Sequence, residues 1–378
     1  MIDKSQVLRI KTELLCKGLY LDDVLIEHYK SQGIEIDFGR KGGAGPLGGR
    51  YFLLEDSKTL INVALWNNPK KTSLRLGEKK DGFFEVYDEN KGVYFGKLKL
   101  VENPQFYNLT TSDGIEMNKI ALVHGVDCLA STIYQKCIYW ACGEACEFCG
   151  IELSLTYNTT IAEKNYIQMS EVISAAKKEG RCSHMTLTSG TEESIDKGAN
   201  RYIELLKGVK QNHPDLPLHI QIEALEDVRY IDKLKEAGAD TIGIHIEVLD
   251  EKIRKEITPG KAHLSYDLYK KNWKHAVKVF GDNQVSTYVL TGFGESRNEF
   301  VDAVENIISL GVIPYITPVR SIPGKKDLPA TDYEKLLDIY LRTGILMKQY
   351  GVNPLKNKAG CVRCGGCSAI KEAYINTK

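Results

Sequence analysis

Residues 136–149 read KCIYWACGEACEFC and hold four of the chain's ten cysteines: Cys137, Cys142, Cys146 and Cys149. The last three are spaced C-x3-C-x2-C, with the aromatic Phe148 just before the final one. Three thiolates on one short loop can each bind one iron of a [4Fe–4S] cube, whereas ferredoxin clusters, which only transfer electrons, take four. The fourth iron then keeps an open coordination position, as a catalytic metal does. The spacing therefore predicts a reactive iron–sulfur centre.

Two alternatives stay open for this loop. Zinc also binds thiolates, but structural zinc sites usually take four ligands from two paired knuckles, so the spacing favours iron and sulfur. The first iron ligand is either Cys142, which gives the C-x3-C-x2-C spacing and is our choice, or Cys137. With Cys146 and Cys149, Cys137 reads C-x8-C-x2-C, and it directly follows a strand-like run at residues 129–136.

The composition limits the partners and the compartment that we expect. A chain of 378 residues suits a barrel with appendages, and its 50 basic and 50 acidic residues balance, so no strong field attracts nucleic acid or an anionic membrane. No apolar run approaches the roughly 20 residues of a membrane span, no signal peptide opens the chain, and the cysteines are clustered. We therefore expect a cytoplasmic protein without nucleic-acid or membrane partners, with the cysteines outside the clusters buried as small apolar residues: Cys16, Cys128 and Cys182.

The first part of the chain, residues 1–103, is predicted to be a small separate α+β domain. Residues 4–30 carry apolar side chains at helical spacing, and residues 51–66 and 82–101 alternate apolar and polar side chains as strands do. Between them, GRKGGAGPLGGR at residues 39–50 is rich enough in glycine for a close backbone approach, either as a plain connection or as a loop near an active site. It lacks the lysine and the serine or threonine that end a phosphate loop.

From about residue 104 the pattern alternates between strands and helices, which predicts an α/β unit with a parallel sheet covered by helices. The predicted strands are residues 129–136, 184–188, 218–223, 241–247, 284–291 and 313–320. Six βα units fit a partial (β/α)6 barrel of TIM-like type over residues 104–330, followed by a C-terminal helix and cluster-binding tail over residues 331–378. In such barrels the chemistry lies at the carboxyl ends of the strands.

The cysteine loop resembles that of the radical SAM superfamily, and the resemblance extends over about residues 106–324. It implies the same partial barrel and a defined chemistry. S-adenosylmethionine (SAM) would chelate the open iron through its amino and carboxylate groups, and the cluster would reduce it to methionine and a 5′-deoxyadenosyl radical. The whole chain is also similar to a radical SAM family of the biotin synthase and Elp3-like branch that is associated with nitrilase gene clusters. It equally resembles the two-protein lipoyl synthases of archaea and anaerobes.

The resemblance implies that residues at the strand ends and beside the cluster bind SAM: Phe148, Ser189, Gly190, Thr191, Glu192, Glu247, Gly292, Glu295 and Arg320. After the second strand the superfamily commonly has a glycine pair and an acid; here the loop reads TSGTEE, and Glu192 stands in for the acid. Glu247 can hydrogen-bond ribose hydroxyls, as acids do in other nucleotide sites. TGFGE at residues 291–295 is similar to a GxxGE-type turn beside the adenosine, and Arg320 can grip a carboxylate with two bonds. Each of these residues alone is equally compatible with an ordinary βα turn or a solvated strand end.

A second group of cysteines lies in the C-terminal tail. The stretch AGCVRCGGCSA has the spacing C-x2-C-x2-C followed by serine: Cys361, Cys364, Cys367 and Ser368. This resembles the start of a bacterial ferredoxin motif without its fourth cysteine and proline, and it predicts an auxiliary [4Fe–4S] cluster, with a zinc knuckle or a disordered tail as alternatives. A fourth ligand remains to be assigned, and the candidates are Ser368, Cys16, Cys128, Cys182 and whichever of Cys137 and Cys142 the first cluster leaves free. An amphipathic helix predicted at residues 332–349 is expected to bring this cluster near the strand ends.

Three functions fit these observations. The first is a radical SAM enzyme with SAM and two [4Fe–4S] clusters that inserts sulfur at unactivated C–H bonds, as lipoyl synthase does, because no side-chain base can remove an alkyl proton. Its expected partners are an octanoyl-carrier protein or peptide, a second radical SAM protein, and an electron donor such as ferredoxin or flavodoxin. The second function is radical oxidation or rearrangement of a small nitrogenous metabolite. The third is a non-catalytic iron–sulfur or zinc module.

Overall fold

The computed structural model describes residues 3–34, 49–322, 328 and 331–377. Its strands are β1 (Leu19–Tyr20), β2 (Gly49–Leu54), β3 (Leu60–Trp66), β4 (Leu74–Lys80), β5 (Phe83–Asp88), β6 (Val93–Leu100), β7 (Leu122–His124), β8 (Cys128–Thr132), β9 (His184–Thr188), β10 (Leu218–Ile222), β11 (Thr241–Ile244), β12 (Val285–Thr291) and β13 (Ile313–Pro318). Its α-helices are α1 (Lys4–Lys17), α2 (Asp23–Ser31), α3 (Met117–Ile120), α4 (Ile138–Ala141), α5 (Leu153–Thr156), α6 (Tyr166–Lys178), α7 (Ala199–Asn212), α8 (Arg229–Glu236), α9 (Glu251–Ile257), α10 (Tyr266–Phe280), α11 (Arg297–Ile308), α12 (Tyr333–Gln349), α13 (Gly360–Cys364) and α14 (Ile370–Asn376). Single turns of 3-10 helix lie at Pro69–Lys71, Gln105–Asn108, Pro259–Lys261 and Pro354–Lys356. Most of the glycine-rich stretch, residues 39–48, lies outside the described residues, and within them no helix has the length and apolar character needed to cross a bilayer.

The N-terminal part is a small closed β-barrel with α1 packed against it. Its strands follow the order β1-β3-β2-β6-β5-β4, and inward side chains such as Phe52 and Val86 are fully buried. The helical pattern over residues 4–30 falls on two helices, α1 and α2. Helix α1 ends before Gly18, whose φ is 67°, and a Cβ there would lie 2.5 Å from the carbonyl oxygen of Ala64. The chain therefore turns at Gly18 into β1 and only then begins α2.

The second sheet, in the described part of the chain, has seven strands in the order β13-β12-β11-β10-β9-β8-β7. Strands β8 to β13 are parallel to their neighbours, whereas β7 adds an antiparallel strand at the β8 edge. Most of their side chains are buried on both faces, as expected when helices cover one side and the curled sheet encloses an interior on the other. The predicted partial (β/α)6 barrel is confirmed. Strand β8 is shorter than predicted, however, because it ends at Thr132 and leaves the residues up to 136 to the cysteine loop.

The C-terminal tail crosses the barrel at the amino-terminal ends of its strands. The N–H of Gly360 donates to Nδ1 of His184, the first residue of β9, at 3.0 Å. The carbonyl of Ala359 accepts from Oγ1 of Thr241, the first residue of β11, at 3.4 Å. A Cβ on Gly360 would lie 2.3 Å from the ring of His219, so the backbone runs directly against the strand starts. The tail backbone therefore closes the end of the barrel opposite the carboxyl ends of the strands.

Candidate active site

A cavity of about 290 Å³ opens at the carboxyl ends of the barrel strands. Five neighbouring strands contribute a lining side chain at or just beyond their ends: Thr188, Gln221, His245, Leu290 and Thr317. Parallel strands deliver these side chains to one edge of the sheet, where barrels of this kind place their chemistry. The loop after β8 covers the same opening with its cysteines.

The one-turn helix α4 separates the two candidates for the first loop ligand. Cys137 lies immediately before this turn and lines the cavity together with Cys146 and Cys149. Cys142 lies immediately after the turn and is exposed, with its thiol 3.7 Å from the carbonyl oxygen of Tyr139 and outside the lining. The structure therefore brings together the C-x8-C-x2-C set and leaves Cys142 at the surface.

The turn after β9 fixes the position of this loop. The N–H of Ile138 donates to the carbonyl of Thr191 at 2.9 Å, and the N–H of Gly190 donates to the carbonyl of Tyr134 at 2.8 Å. A Cβ on Gly190 would lie 1.8 Å from the carbonyl oxygen of Lys136. Only glycine permits this approach, so Gly190 determines how closely the loop packs against this turn. Gly190 also lines the cavity.

The donor set of the loop suits an iron–sulfur centre. Burial raises the pKa of the Cys146 thiol well above its ordinary value and also raises the pKa of Cys149. A metal deprotonates such thiols outright, and soft thiolates are the ligands of iron–sulfur clusters. In the described part of the chain no three His, Cys, Asp or Glu side chains converge closely enough to share one metal ion. A cube takes one thiolate on each iron, so its ligands need no common point.

Charged and polar pairs surround the loop. Lys261 donates to Oε2 of Glu247 at 2.9 Å, with both side chains largely buried. Although burial opposes it, Glu247 raises the pKa of Lys261 well above its usual value. Glu223 accepts from the hydroxyl of Tyr139 at 2.9 Å and from Oγ1 of Thr191 at 3.1 Å. Sequence reasoning missed these supports, although Glu223 ends the predicted third strand and the strand-end rule could have found it; Lys261 follows a helix and carries no comparable signal.

Most of the residues predicted to bind SAM line the cavity: Phe148, Ser189, Gly190, Thr191, Glu247 and Arg320. The others lie outside the lining. Glu192 forms an ion pair with Arg201 at 2.7 Å. Glu295 accepts from the N–H of Gly292 at 3.1 Å and of Phe293 at 2.8 Å, so its carboxylate closes its own turn. In this structure Glu192 and Glu295 therefore support the neighbouring backbone and helix rather than face the cavity.

Arg320 joins the two β-barrels. Its Nη1 donates to Oδ1 of Asn62, and its Nη2 to the carbonyl of Asn62, each at 2.7 Å. The Arg320 guanidinium, expected to bind a carboxylate with two hydrogen bonds, thus forms these bonds with a residue of β3 instead. Burial lowers the pKa of Arg320, and its strongest electrostatic neighbours are Cys367, Cys16 and Tyr51. Its charge therefore faces a thiol of the tail.

The three tail cysteines enter the barrel interior beneath the cavity. The thiol of Cys361 lies 3.4 Å from Nε2 of Gln221, which itself lines the cavity. Cys367 reaches the cavity directly, and its thiol lies 3.9 Å from the hydroxyl of Tyr51. Cys364 lies deeper, beside the strand starts. Of the three tail cysteines, Cys367 therefore lines the same cavity as the loop cysteines, and Cys361 lies against one of its lining side chains.

Ser368 lies apart from this group. Its hydroxyl donates to the carbonyl of Ile316 at 2.5 Å and is 3.4 Å from the hydroxyl of Tyr340. The side chain is fully buried. The Ser368 hydroxyl therefore donates to the backbone of β13, on the side of that strand that packs against α12.

The region from the cysteine loop to α11 matches a known family. Residues 138–307 match the Radical SAM superfamily. A lipoyl synthase of Bacillus cereus (strain G9842) is 22% identical over 277 residues, which cover 71% of this chain and 87% of the relative. A lipoyl synthase of Bacillus thuringiensis (strain Al Hakam) has the same identity and coverage.

Solved structures are similar at a lower level. A radical SAM methyltransferase from Sphaerobacter thermophilus is 12% identical with a TM-score of 0.43, over 74% of this chain and 76% of that chain. HydG, a maturase of the [FeFe]-hydrogenase, is 14% identical with a TM-score of 0.42, over 59% of this chain and 49% of that chain. The fold assignment rests on the sheet order of the chain itself. The sheet order, the cysteine loop over the strand ends and the family match together identify a radical SAM domain within the chain.

Proposed function

We propose that this radical SAM enzyme inserts sulfur at unactivated C–H bonds, as a lipoyl synthase does. One observation carries the proposal. Cys367 of the tail lines the same cavity as Cys137, Cys146 and Cys149 of the loop. A substrate in this cavity would contact both cysteine groups at once. The similarity to lipoyl synthases over 71% of the chain supports the same assignment.

We assign the first cluster to Cys137, Cys146 and Cys149, because these thiols share the cavity while Cys142 is exposed. Superfamily membership implies a [4Fe–4S] cluster and SAM, which together supply a carbon radical able to take hydrogen from an unactivated C–H bond. The loop contributes only three thiolates to the cavity, so one coordination position is left for SAM.

The chain's own residues would bind SAM and keep water out. Ser189 and Thr191 bring hydroxyls to the cavity, and Glu247 brings a carboxylate whose charge is balanced by Lys261 through one oxygen. Apolar side chains complete the lining, with Phe148 on the loop and Leu290 at the end of β12. Such walls exclude water, which protects a reactive intermediate from side reactions.

We propose a second [4Fe–4S] cluster on Cys361, Cys364 and Cys367, placed to give sulfide to the substrate. The three partly buried thiols and the cationic Arg320 beside Cys367 support it. An octanoyl chain on a carrier protein or peptide is the proposed substrate. A second radical SAM protein and a ferredoxin or flavodoxin are the proposed partners.

The test is an anaerobic reaction of reconstituted protein with SAM, dithionite and an octanoyl-lysine peptide, read by mass spectrometry. The second cluster carries isotopically labelled sulfide. We expect labelled sulfur in the peptide and at most about one product per chain, because a donated cluster is consumed. The matched variant Cys361→Ala/Cys364→Ala/Cys367→Ala should still cleave SAM without transferring sulfur. Repeated turnover with no labelled product would overturn sulfur insertion and favour oxidation or rearrangement of a small nitrogenous metabolite.

A further inference from the structure

We propose that Cys128, the first residue of β8, completes a four-thiolate centre with Cys361, Cys364 and Cys367. The inference rests on the proposed second cluster and adds the ligand that the tail itself lacks. The centre would then be shared between the barrel wall and the tail, and neither substrate nor solvent would be needed to complete it.

The register of the sheet points the Cys128 side chain into the barrel. Cys128 pairs with His184, and Thr132 pairs with Thr188, which lines the cavity. Alternate residues of a strand share a face, so Cys128 faces the same interior as Thr188. The same face of β9 presents Thr186, a neighbour of the Cys361 thiol. Cys128 thus lies in the barrel wall, at the same level along the barrel axis as the tail cysteines.

Direct contact follows from this placement. The thiols of Cys128 and Cys364 are close neighbours, and Cys361 is a further electrostatic neighbour of Cys128. The Cys364 thiol also lies 3.8 Å from the carbonyl of His124, on the strand that pairs with β8. Gly125 lies beside the same sulfur, since a Cβ on it would lie 3.4 Å from Cys364 Sγ. The thiols of wall and tail therefore already meet in this structure.

The other candidates for the fourth ligand lie elsewhere. Ser368 donates to the backbone of β13, and Cys137 belongs to the loop above the cavity. Cys16 has Arg320 as its strongest electrostatic partner, and for Cys182 that partner is Lys177. Cys142 is exposed on the far side of the loop. Among these residues, Cys128 alone contacts a tail thiol directly.

Buried positive charge surrounds the same thiols. Lys11 is 1% exposed, pairs with Glu372 at 2.9 Å and donates to the carbonyl of Gly365 at 2.8 Å, next to Cys364. Lys371 and Lys11 both act on the Cys364 thiol, and Arg320 acts on Cys367. A buried cation needs a counter-charge, and the cations here outnumber the single carboxylate of Glu372. A cube held by four thiolates is net negative and supplies that charge.

The experiment isolates the tail centre in the full-length chain. In the parent variant Cys137→Ala/Cys146→Ala/Cys149→Ala the loop cannot bind iron, so reconstituted protein should hold about four iron atoms per chain. We compare this parent with versions that also carry Cys128→Ala, Cys128→Ser or the matched buried control Cys182→Ala. Iron content and electron paramagnetic resonance are read before and after mild ferricyanide oxidation, and circular dichroism checks folding.

We expect Cys128→Ala to lose about one iron and to give the signal of a three-iron cluster on oxidation, because its fourth iron has no protein ligand. Cys128→Ser, which keeps an oxygen at that position, should retain the iron with a shifted signal in the reduced state. The parent and Cys182→Ala should resist oxidation alike. If both Cys128 variants match the parent, the ligand assignment is overturned while the tail cluster stands. If the parent binds no iron, the tail cluster itself and the proposed function fall with it.

Discussion

Replacing Lys261 with methionine should destabilise the protein by about 3–5 kcal/mol, the range found when one partner of a buried ion pair is removed. Methionine keeps the length of the side chain but leaves the Glu247 carboxylate without the ammonium that lies at 2.9 Å. Both side chains are largely buried, at 13% and 14% exposure, so solvent screens the remaining charge poorly. Lys255 and Glu251 form a matched pair at 3.0 Å that is 61% and 70% exposed. Lys255→Met should therefore change stability by less than about 1 kcal/mol.

The double variant Lys261→Met/Glu247→Gln should recover much of the loss, because the cost lies in the unpaired charge. Urea unfolding, followed by circular dichroism without oxygen, measures the free energy of unfolding of the wild type, the two single variants and the double variant. Equilibrium dialysis of the reconstituted variants then shows whether the loss of the Glu247 charge changes the affinity for SAM. The reasoning is refuted if Lys261→Met stays within about 1 kcal/mol of wild type, or if the double variant is no more stable than Lys261→Met.

The remaining predictions concern the loop, the turn that holds it, and pH. Cys137→Ala should remove the loop iron and stop release of 5′-deoxyadenosine, whereas Cys142→Ala should leave iron content and SAM cleavage near wild type; the reverse outcome would restore Cys142 as the ligand. Gly190→Ala should cost about 1–3 kcal/mol and lower iron content, since the added Cβ collides with a backbone carbonyl, and unchanged melting and iron content would contradict that contact. Burial lowers the pKa of His184 and of His219 from 6.5 to about 3, so below pH 6.5 the unfolded chain takes up protons that the folded chain excludes. The free energy of unfolding should be level above about pH 7 and fall toward pH 3, by roughly 2 kcal/mol per histidine at pH 5. In urea titrations, His184→Gln should weaken this dependence of stability on pH. An unchanged pH dependence would show that His184 titrates normally.

The sequence reveals the barrel because each strand has local boundaries. The residues predicted as the second strand are those of β9. Buried apolar runs between turn residues carry that information without reference to the rest of the chain. The strand-end rule then located the cavity, since parallel strands end at one edge.

Contacts between residues that are far apart in the chain could not be predicted from the sequence. Spacing alone does not show which side of the one-turn helix α4 faces inward, so Cys137 and Cys142 could not be separated. Arg320 looked free to bind a carboxylate because its partner, Asn62, belongs to the other β-barrel. The route of the tail backbone could not be predicted either, because the contacts of Gly360 with the strand starts depend on the folded barrel and leave no periodic pattern in the tail.

The route of the tail under the barrel has a consequence for how the protein matures. The loop cysteines are neighbours in the chain and need only β8 and β9 to be in place. The tail thiols meet Cys128 only after every barrel strand has formed, because the residues before them run across the strand starts. Once docked, the tail backbone covers the strand starts on the side opposite the cavity. The second centre proposed above would then have to receive its iron and sulfide before or during this docking, so the timing of metal delivery against chain closure would decide what fraction of the newly made protein carries it.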